Sequence, residues 1–300
     1  MPTLGTVSVH IGLLSGFAVT SEAVGAYVRL VGYVVLVSLV FYPFELLAPA
    51  EKGQNFIKRL INLVYVPVIL ALMIFVAQPV ANVVADVMLR AIGGSLLFTV
   101  LVPENGLPAQ IVLAILYVVT WDFFQYWLHR WQHKSLFLWQ THRFHHSETA
   151  LNATTQTRHH LFSIILSIAF YFPLLIIIGR SPHAWVSLVM FRFWPFLNHA
   201  NVHLPFGPLT PVISGPQWHR IHHSIDPEHR DKNFATFLPF IDIVFGTYYR
   251  PSGNEYPATG IAGENNANIL RDATVQPLVS WSRQTISAFS RRLVASHKRV

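Results

Sequence analysis

Ten histidines stand in four short groups: His129-Arg-Trp-Gln-His133, His142-Arg-Phe-His145-His146, His199-Ala-Asn-Val-His203 and His219-Arg-Ile-His222-His223. On a helix, residues three and four apart share a face. An HxxxH group therefore aims two imidazoles one way, and an HxxHH group aims three. The second and fourth groups are near copies, which predicts two similar coordination units. A single histidine is ordinarily a satisfied core or surface residue, but 13 of the chain's 16 fall between His129 and His223. Clustered imidazoles repel when protonated and waste buried polar atoms when neutral, unless they hold metal. A pH sensor needs only one or a few. A structural zinc takes four ligands, so ten imidazoles suit two ions with about five each, leaving room for water, oxygen or substrate. Imidazole binds Fe, Cu, Ni and Zn, so donor type leaves the metal open.

Several neighbours are candidates to tune such a centre. Asp122 lies two helical turns before His129, and a carboxylate in a neutral apolar stretch is costly without a partner. It is expected to orient a ligating imidazole from another group, such as His142 or His219. Glu148, Asp226 and Asp231 are further carboxylates of this kind. Asn198 and Asn201 flank His199, and an amide oxygen there can ligate or cap a helix end. His159 and His160 follow the second group and can add a ligand. The Trp194-Pro195 and Gly215-Pro216 steps should break helices just before the third and fourth groups.

The elements that must position these residues are apolar. Of 300 residues, 52% are hydrophobic and 12% charged, against roughly 25% charged in soluble domains. Mean hydropathy is +0.42. This excludes a disordered chain and argues for a bilayer. Tyr27–Leu47, Ile61–Val80, Ala109–Leu128 and Leu161–Gly179 each approach the ~20 apolar residues of a membrane span, and Ala184–Leu197 is a shorter fifth run. The expected fold is an all-α integral membrane protein of four to five membrane-embedded helices under a helical histidine-bearing cap. Three regions are expected: 1–114 with the first spans, 115–250 with the chemistry, and a basic tail over 251–300. Within that tail Leu278–Val294 has a loose apolar stripe that suits a helix lying on an anionic membrane.

The formal net charge is +7. Lys52, Lys58, Arg59, Arg130, Lys134, Arg143, Arg158 and ten further cations after residue 203 fall on one side of the expected spans, while Arg90 and Arg180 fall on the other. This asymmetry predicts the N-terminus outside and the histidines and C-terminus in the cytoplasm, and it accounts for the positive charge without a nucleic-acid partner. The first 26 residues hold no Lys or Arg, unlike a secretory signal. The sequon at Asn152 is expected to be fortuitous on the cytoplasmic side. There is no cysteine, which excludes disulfides, thiolate metal sites and iron–sulfur clusters. No GxGxxG dinucleotide motif is present.

The histidine groups and their flanks resemble the membrane-bound fatty acid hydroxylase and sterol desaturase superfamily. Asp122-Phe-Phe-Gln-Tyr-Trp-Leu-His129-Arg resembles its DxxxYWxHR segment, Asn152-Ala-Thr-Thr-Gln-Thr-Arg158 its N-x-T-x-x-x-R segment, and Asp231-Lys-Asn-Phe234 with Phe245-Gly-Thr-Tyr248 its DKNYG…FGTY ending. The resemblance covers roughly residues 115–250. It implies a non-haem di-iron enzyme that uses O₂ to attack a C–H bond of a fatty acyl chain, sterol or related lipid, by hydroxylation or desaturation. It also implies an ether-lipid or sterol-methyl oxygenase as the alternative. Electrons would come from NAD(P)H through a separate ferredoxin- or cytochrome b5-like carrier. The ten grouped histidines carry over as metal ligands, with Asp122 and Asn201 as supporting site residues. Two other classes compete. A divalent-metal transporter places ligands at the bilayer midplane on repeated halves, whereas these ligands lie mostly outside the spans. A zinc hydrolase ordinarily adds a glutamate to its box, as in HExxH, and none of the four boxes contains one.

Overall fold

The computed structural model describes residues 20–91, 106–178, 187–264 and 269–285. The N-terminal 19 residues, the segment around residue 105, residues 184–186 of the fifth run and the last part of the Leu278–Val294 stripe lie outside these. Every regular element among the described residues is helical, and only two isolated β-bridges occur. The principal helices are α1 (Ser21–Leu47), α2 (Phe56–Leu72), α3 (Gln78–Ala91), α4 (Leu107–Lys134), α5 (Leu136–His146), α6 (Leu161–Ile178), α7 (Trp194–His199), α8 (Pro216–His222), α9 (Phe240–Val244) and α10 (Ile269–Thr274). A π-helical turn over Met73–Ala77 joins α2 to α3, and another over Ser187–Phe193 leads into α7.

Three helices among the described residues are long and apolar enough to cross a bilayer: Ser21–Leu47, Phe56–Val84 and Gln110–Lys134. Their outward faces show large apolar side chains, with Leu36 60% and Val64 66% exposed, a surface that water does not favour at this extent. The chain is a membrane protein on this ground. α6 is a further uncharged helix of 18 residues.

Beyond the spans the chain folds into a compact cap. Ser135 ends α4 and its side chain accepts the Leu138 amide to start α5, so the two helices reverse on one residue. Pro195 and Pro216 both sit in the first turn of their helices, α7 and α8; the expected break occurs at Gly215, which is extended, whereas at Trp194-Pro195 the helical backbone runs on from the preceding π-helical turn. At Gly215 a Cβ would lie 2.8 Å from the Phe206 ring, so any larger residue at the start of α8 would have to displace that ring. The C-terminal residues fold back onto α5: Trp281 stacks on Phe137 at 4.5 Å and donates to its carbonyl, and Arg143 pairs with Glu264.

Buried carboxylates tie cap to spans. Glu45 at the end of α1 pairs with Arg59 of α2 and accepts the amides of Ala153 and Asn201. Glu148 takes Asn62 of α2 and lies 3.4 Å from the buried Arg158. Asn152 is 1% exposed and caps the turn Ala153–Thr157. It is therefore a structural residue that no glycosyl transferase could reach in the folded chain.

Candidate metal centre

The cap gathers nine of the ten grouped histidines into two sets. His129, His133, His142, His146 and His222 form the first. His145, His199, His219 and His223 form the second. The sets adjoin, with the His146 and His223 rings stacked at 4.3 Å. The expectation that each HxxHH box is a unit is corrected. On α5, His142 and His146 turn to the first set and His145 to the second; on α8, His219 and His223 turn to the second and His222 to the first. Positions i and i+4 stay on one stripe while i+3 leans to its other side, so each box divides two to one, in opposite senses.

His203 belongs to neither set. α7 ends at His199, and Ala200 turns into extended backbone (φ −59°, ψ 137°), which removes the shared helical face on which the HxxxH reading relied. His203 is exposed and packs on Tyr256. Asn201 also lies away from the rings: its side chain accepts the Glu51 amide and donates to the Glu51 carbonyl. Asn198 donates to Ser214 and to the Thr236 carbonyl. His160 is committed to the Thr274 carbonyl and the Phe162 amide. His159 lies beside the second set, parallel to His145 with ring centres 4.9 Å apart.

The ring nitrogens fit bound cations. His146 Nε2 lies 3.1 Å from His133 Nε2, 3.1 Å from His142 Nε2 and 3.2 Å from His222 Nε2. One ring proton can satisfy at most one of these contacts. In the second set His199 Nε2 is 3.0 Å from both His145 Nε2 and His219 Nε2, while its Nδ1 donates to the Pro195 carbonyl. Two nitrogens bound at right angles, each about 2.1 Å from one ion, sit about 3.0 Å apart. The buried nitrogens His129 Nε2, His142 Nδ1, His145 Nδ1, His219 Nδ1 and His223 Nδ1 have no hydrogen-bond partner. Burial, followed by the neighbouring rings, holds His142, His145, His146, His219 and His223 well below the ordinary histidine range. Burial takes His222 to about 4 and His199 to about 3. All are thus neutral at pH 7, the form that binds metal.

One loop orients the first set. The Phe234 carbonyl accepts His129 Nδ1 and the Lys232 carbonyl accepts His222 Nδ1, both at 2.8 Å. Asp231 and Asn233 hold left-handed backbone on either side of Lys232 (φ 60° and 62°), which asparagine and aspartate tolerate better than most residues. Two buried carboxylates fix this loop. Asp242 accepts the amides of Phe234 and Ala235. Asp122 accepts those of Thr236, Phe237 and Leu238 at 2.7–3.0 Å. Asp122 therefore meets backbone amides, not the histidine expected of it, and it reaches His129 only through the loop. Asp231 pairs with Lys134 and lies 3.8 Å from His133 Nδ1. Asp226 and Glu148 bond elsewhere. The roles of Asp242, Glu45 and Asn62 were not foreseen; their partners lie in distant segments or in the backbone, which residue type and spacing do not show.

This architecture defines a helical membrane protein with two adjoining polyhistidine clusters suited to hold metal. Residues 114–247 match the sequence model of the fatty acid hydroxylase family, and that segment is similar to the fatty acid hydroxylase and sterol desaturase superfamily. It is 36% identical to human alkylglycerol monooxygenase over 127 residues, 42% of this chain and 28% of that protein. It is 32% identical to the ornithine lipid hydroxylase OlsE of Rhizobium tropici over 179 residues, 59% and 53% of the two chains. To methylsterol monooxygenase 1-3 of Arabidopsis thaliana it is 26% identical over 152 residues, 48% and 52% of the two. The matched segments thus span between about a quarter and a half of these relatives. No solved structure matches the chain.

Proposed function

We propose that this protein is an O₂-dependent lipid oxygenase of the membrane, with two iron ions held by the two histidine sets. The observation that carries the proposal is the convergence of His146 Nε2 on three other ring nitrogens, a geometry that proton sharing cannot satisfy. His129, His133, His142, His146 and His222 would hold one ion, and His145, His199, His219 and His223 the other. Iron supplies the activation of O₂ that a C–H bond without an acidic or basic handle requires. Inserting one oxygen atom into a C–H bond and releasing the other as water consumes two electrons and two protons. The chain's own residues hold the rings neutral and oriented, through the Phe234, Lys232 and Pro195 carbonyls.

The substrate class is a lipid with an alkyl chain, reached from the bilayer. The names of the relatives favour an ether lipid, an amino-acid lipid or a methylsterol over a free fatty acid. The Lys and Arg asymmetry supports a cytoplasmic face for the histidine sets, with electrons passed from NAD(P)H through an external carrier. Purified protein expressed with ample iron should hold two irons per chain, and cells with and without the active protein should differ by one oxygenated lipid class. One iron or none, or an unchanged lipid profile, would overturn the reading. Reporter fusions at residues near 55, 150 and 260 should read cytoplasmic.

A further inference from the structure

We infer that the cavity where α1 ends and α2 begins binds the headgroup of an anionic phospholipid that also carries a hydroxyl, as a phosphoglycerol does. The cavity holds about 210 Å³, room for a small polar group or a few waters. No histidine lines it, and the inference does not depend on the oxygenase reading. Arg59 lines it with a guanidinium that is 8% exposed, pairs with Glu45 and lies 5.0 Å over the Tyr42 ring. Glu51, Lys52, Gln54 and Asn201 supply the other polar groups. Glu45 is neutralised by Arg59, and Glu51 by Arg220 at 2.8 Å. Lys52 is then the lining cation in excess, which favours an occupant with a negative charge. Gln54 makes a second demand. Its Nε2 donates to Glu51 and to the Leu151 carbonyl, but its Oε1 is buried without a hydrogen-bond partner. A buried acceptor left unmet is costly, and an ionised phosphodiester has no proton to donate. A hydroxyl on the same headgroup does.

The place of the cavity argues for a lipid over a free anion. α1 and the helix that begins at Phe56 are long and apolar enough to cross a bilayer, so the turn between them lies where the bilayer meets the cap. Leu46 and Phe56 line the cavity, and both are exposed, as are their neighbours Leu47 and Ile57. The acyl chains of a phospholipid would lie along that apolar surface, which a soluble phosphate cannot use. The same turn grips three histidine-bearing stretches of the cap. Gln54 holds the Leu151 carbonyl beyond α5. Asn201, just after His199, accepts from the Glu51 amide and donates to the Glu51 carbonyl. Glu51 holds Arg220, the residue next to His219. A headgroup bonded to Lys52 and Gln54 braces the turn on which these segments hang. Binding to the folded state alone then stabilises the cap by mass action.

The test uses the full chain in nanodiscs of phosphatidylcholine, alone or mixed with phosphatidylglycerol or with phosphatidylmethanol, an anionic lipid that lacks the hydroxyl. Lipid retained through detergent extraction is read by mass spectrometry, and the melting temperature is read in each nanodisc. Phosphatidylglycerol should be retained and should raise the melting temperature, with a preference over phosphatidylmethanol of about fivefold. Lys52→Glu should cut its retention by about tenfold and remove the added stability, with metal content unchanged. Arg230→Glu, an equal change of charge at an exposed residue outside the cavity, should keep both. Equal retention of the two anionic lipids by the wild type would overturn the hydroxyl assignment, and this arm needs no variant to fold. Wild-type retention in Lys52→Glu, or an equal loss in Arg230→Glu, would remove the cavity from the interaction. Displacement of the lipid by millimolar inorganic phosphate would mark a site for soluble anions instead. No retention of phosphatidylglycerol above phosphatidylcholine would leave the cavity to water and sink the proposal.

Discussion

The two histidine sets are built from the same boxes but held in place differently. In the first, His129 and His222 are aimed by backbone carbonyls of one loop, and that loop is clamped by Asp122 and Asp242. In the second, only His199 has such a carbonyl, while His145, His219 and His223 leave Nδ1 without a partner. Backbone carbonyls thus orient two of five rings in the first set, where His142 also leaves Nδ1 without a partner, and one of four in the second. Outer hydrogen bonds to a ligating imidazole raise metal affinity by roughly 10–100-fold, so the sets should differ in how firmly they hold an ion.

The largest expected effect lies at the point both sets share. His146→Ala should reduce lipid oxidation to background and lower metal content in both sets, read by elemental analysis of protein that still inserts. A variant retaining full metal would show that the convergence of nitrogens is incidental. Asp122→Asn comes next. It replaces an acceptor of three amides by a group with a single acceptor oxygen, so it should loosen the loop and cut activity by about 10–100-fold. Because the loop's carbonyls bond rings of the first set directly and reach the second only through Asn198 beside His199, a spectroscopic signal from the second should change less; equal perturbation of both would dissolve the contrast.

Chelation should separate the sets in time. With a soluble chelator at neutral pH, one metal should leave first, and the ion that remains should be the one perturbed in Asp122→Asn. Simultaneous release of both would argue that the two are equally held. Acid should weaken the metal-free protein. The buried rings bind protons more weakly folded than unfolded, so stability is present above the unfolded value of 6.5 and is lost as pH falls towards the folded values of about 4 for His222 and about 3 for His199. Melting temperature measured between pH 8 and 5 should fall below about pH 6.5, and a flat profile would contradict the neutral, buried state of the rings. The smallest effects concern flanking rings. His159→Phe should preserve metal content and His159→Ala should lower that of the second set, since a flat ring against His145 is what the structure requires. Loss in both variants would instead mark His159 as a ligand. His203→Ala should be near neutral.

Much of this was legible in the sequence because helical spacing is a strong local rule. His129 and His133 face one side of α4, and His142, His146, His219 and His223 obey the same i, i+4 relation. The rule failed where the helix did. At Ala200 the backbone leaves the helical region, and His203 and Asn201 leave with it. It was also too coarse to show that His145 and His222 lean to the opposite set, a matter of where α5 and α8 meet in space. Asp122 was recognisable as a buried carboxylate with a partner, but its partners are the amides of residues 236–238, and an amide carries no residue-type signature. The apolar spans were visible from composition alone; the clamps joining them to the cap, Glu45 to the Ala153 and Asn201 amides and Asn62 to Glu148, depend on contacts between segments far apart in the chain.

The division of each HxxHH box between the two sets bears on how the protein is made. His146 and His222 are 76 residues apart, and at about 5–20 residues per second the ribosome needs roughly 4–15 s to travel between them. Until the last box emerges, the second set has only His145 and His199, and the first lacks His222. A nascent chain therefore displays unfilled imidazoles for seconds while its spans are already inserting. If the two sets hold metal as proposed, the second reaches its four rings only when His219 and His223 emerge, and its filling would then fasten α5 to α8, a late stitch made after the membrane helices are in place.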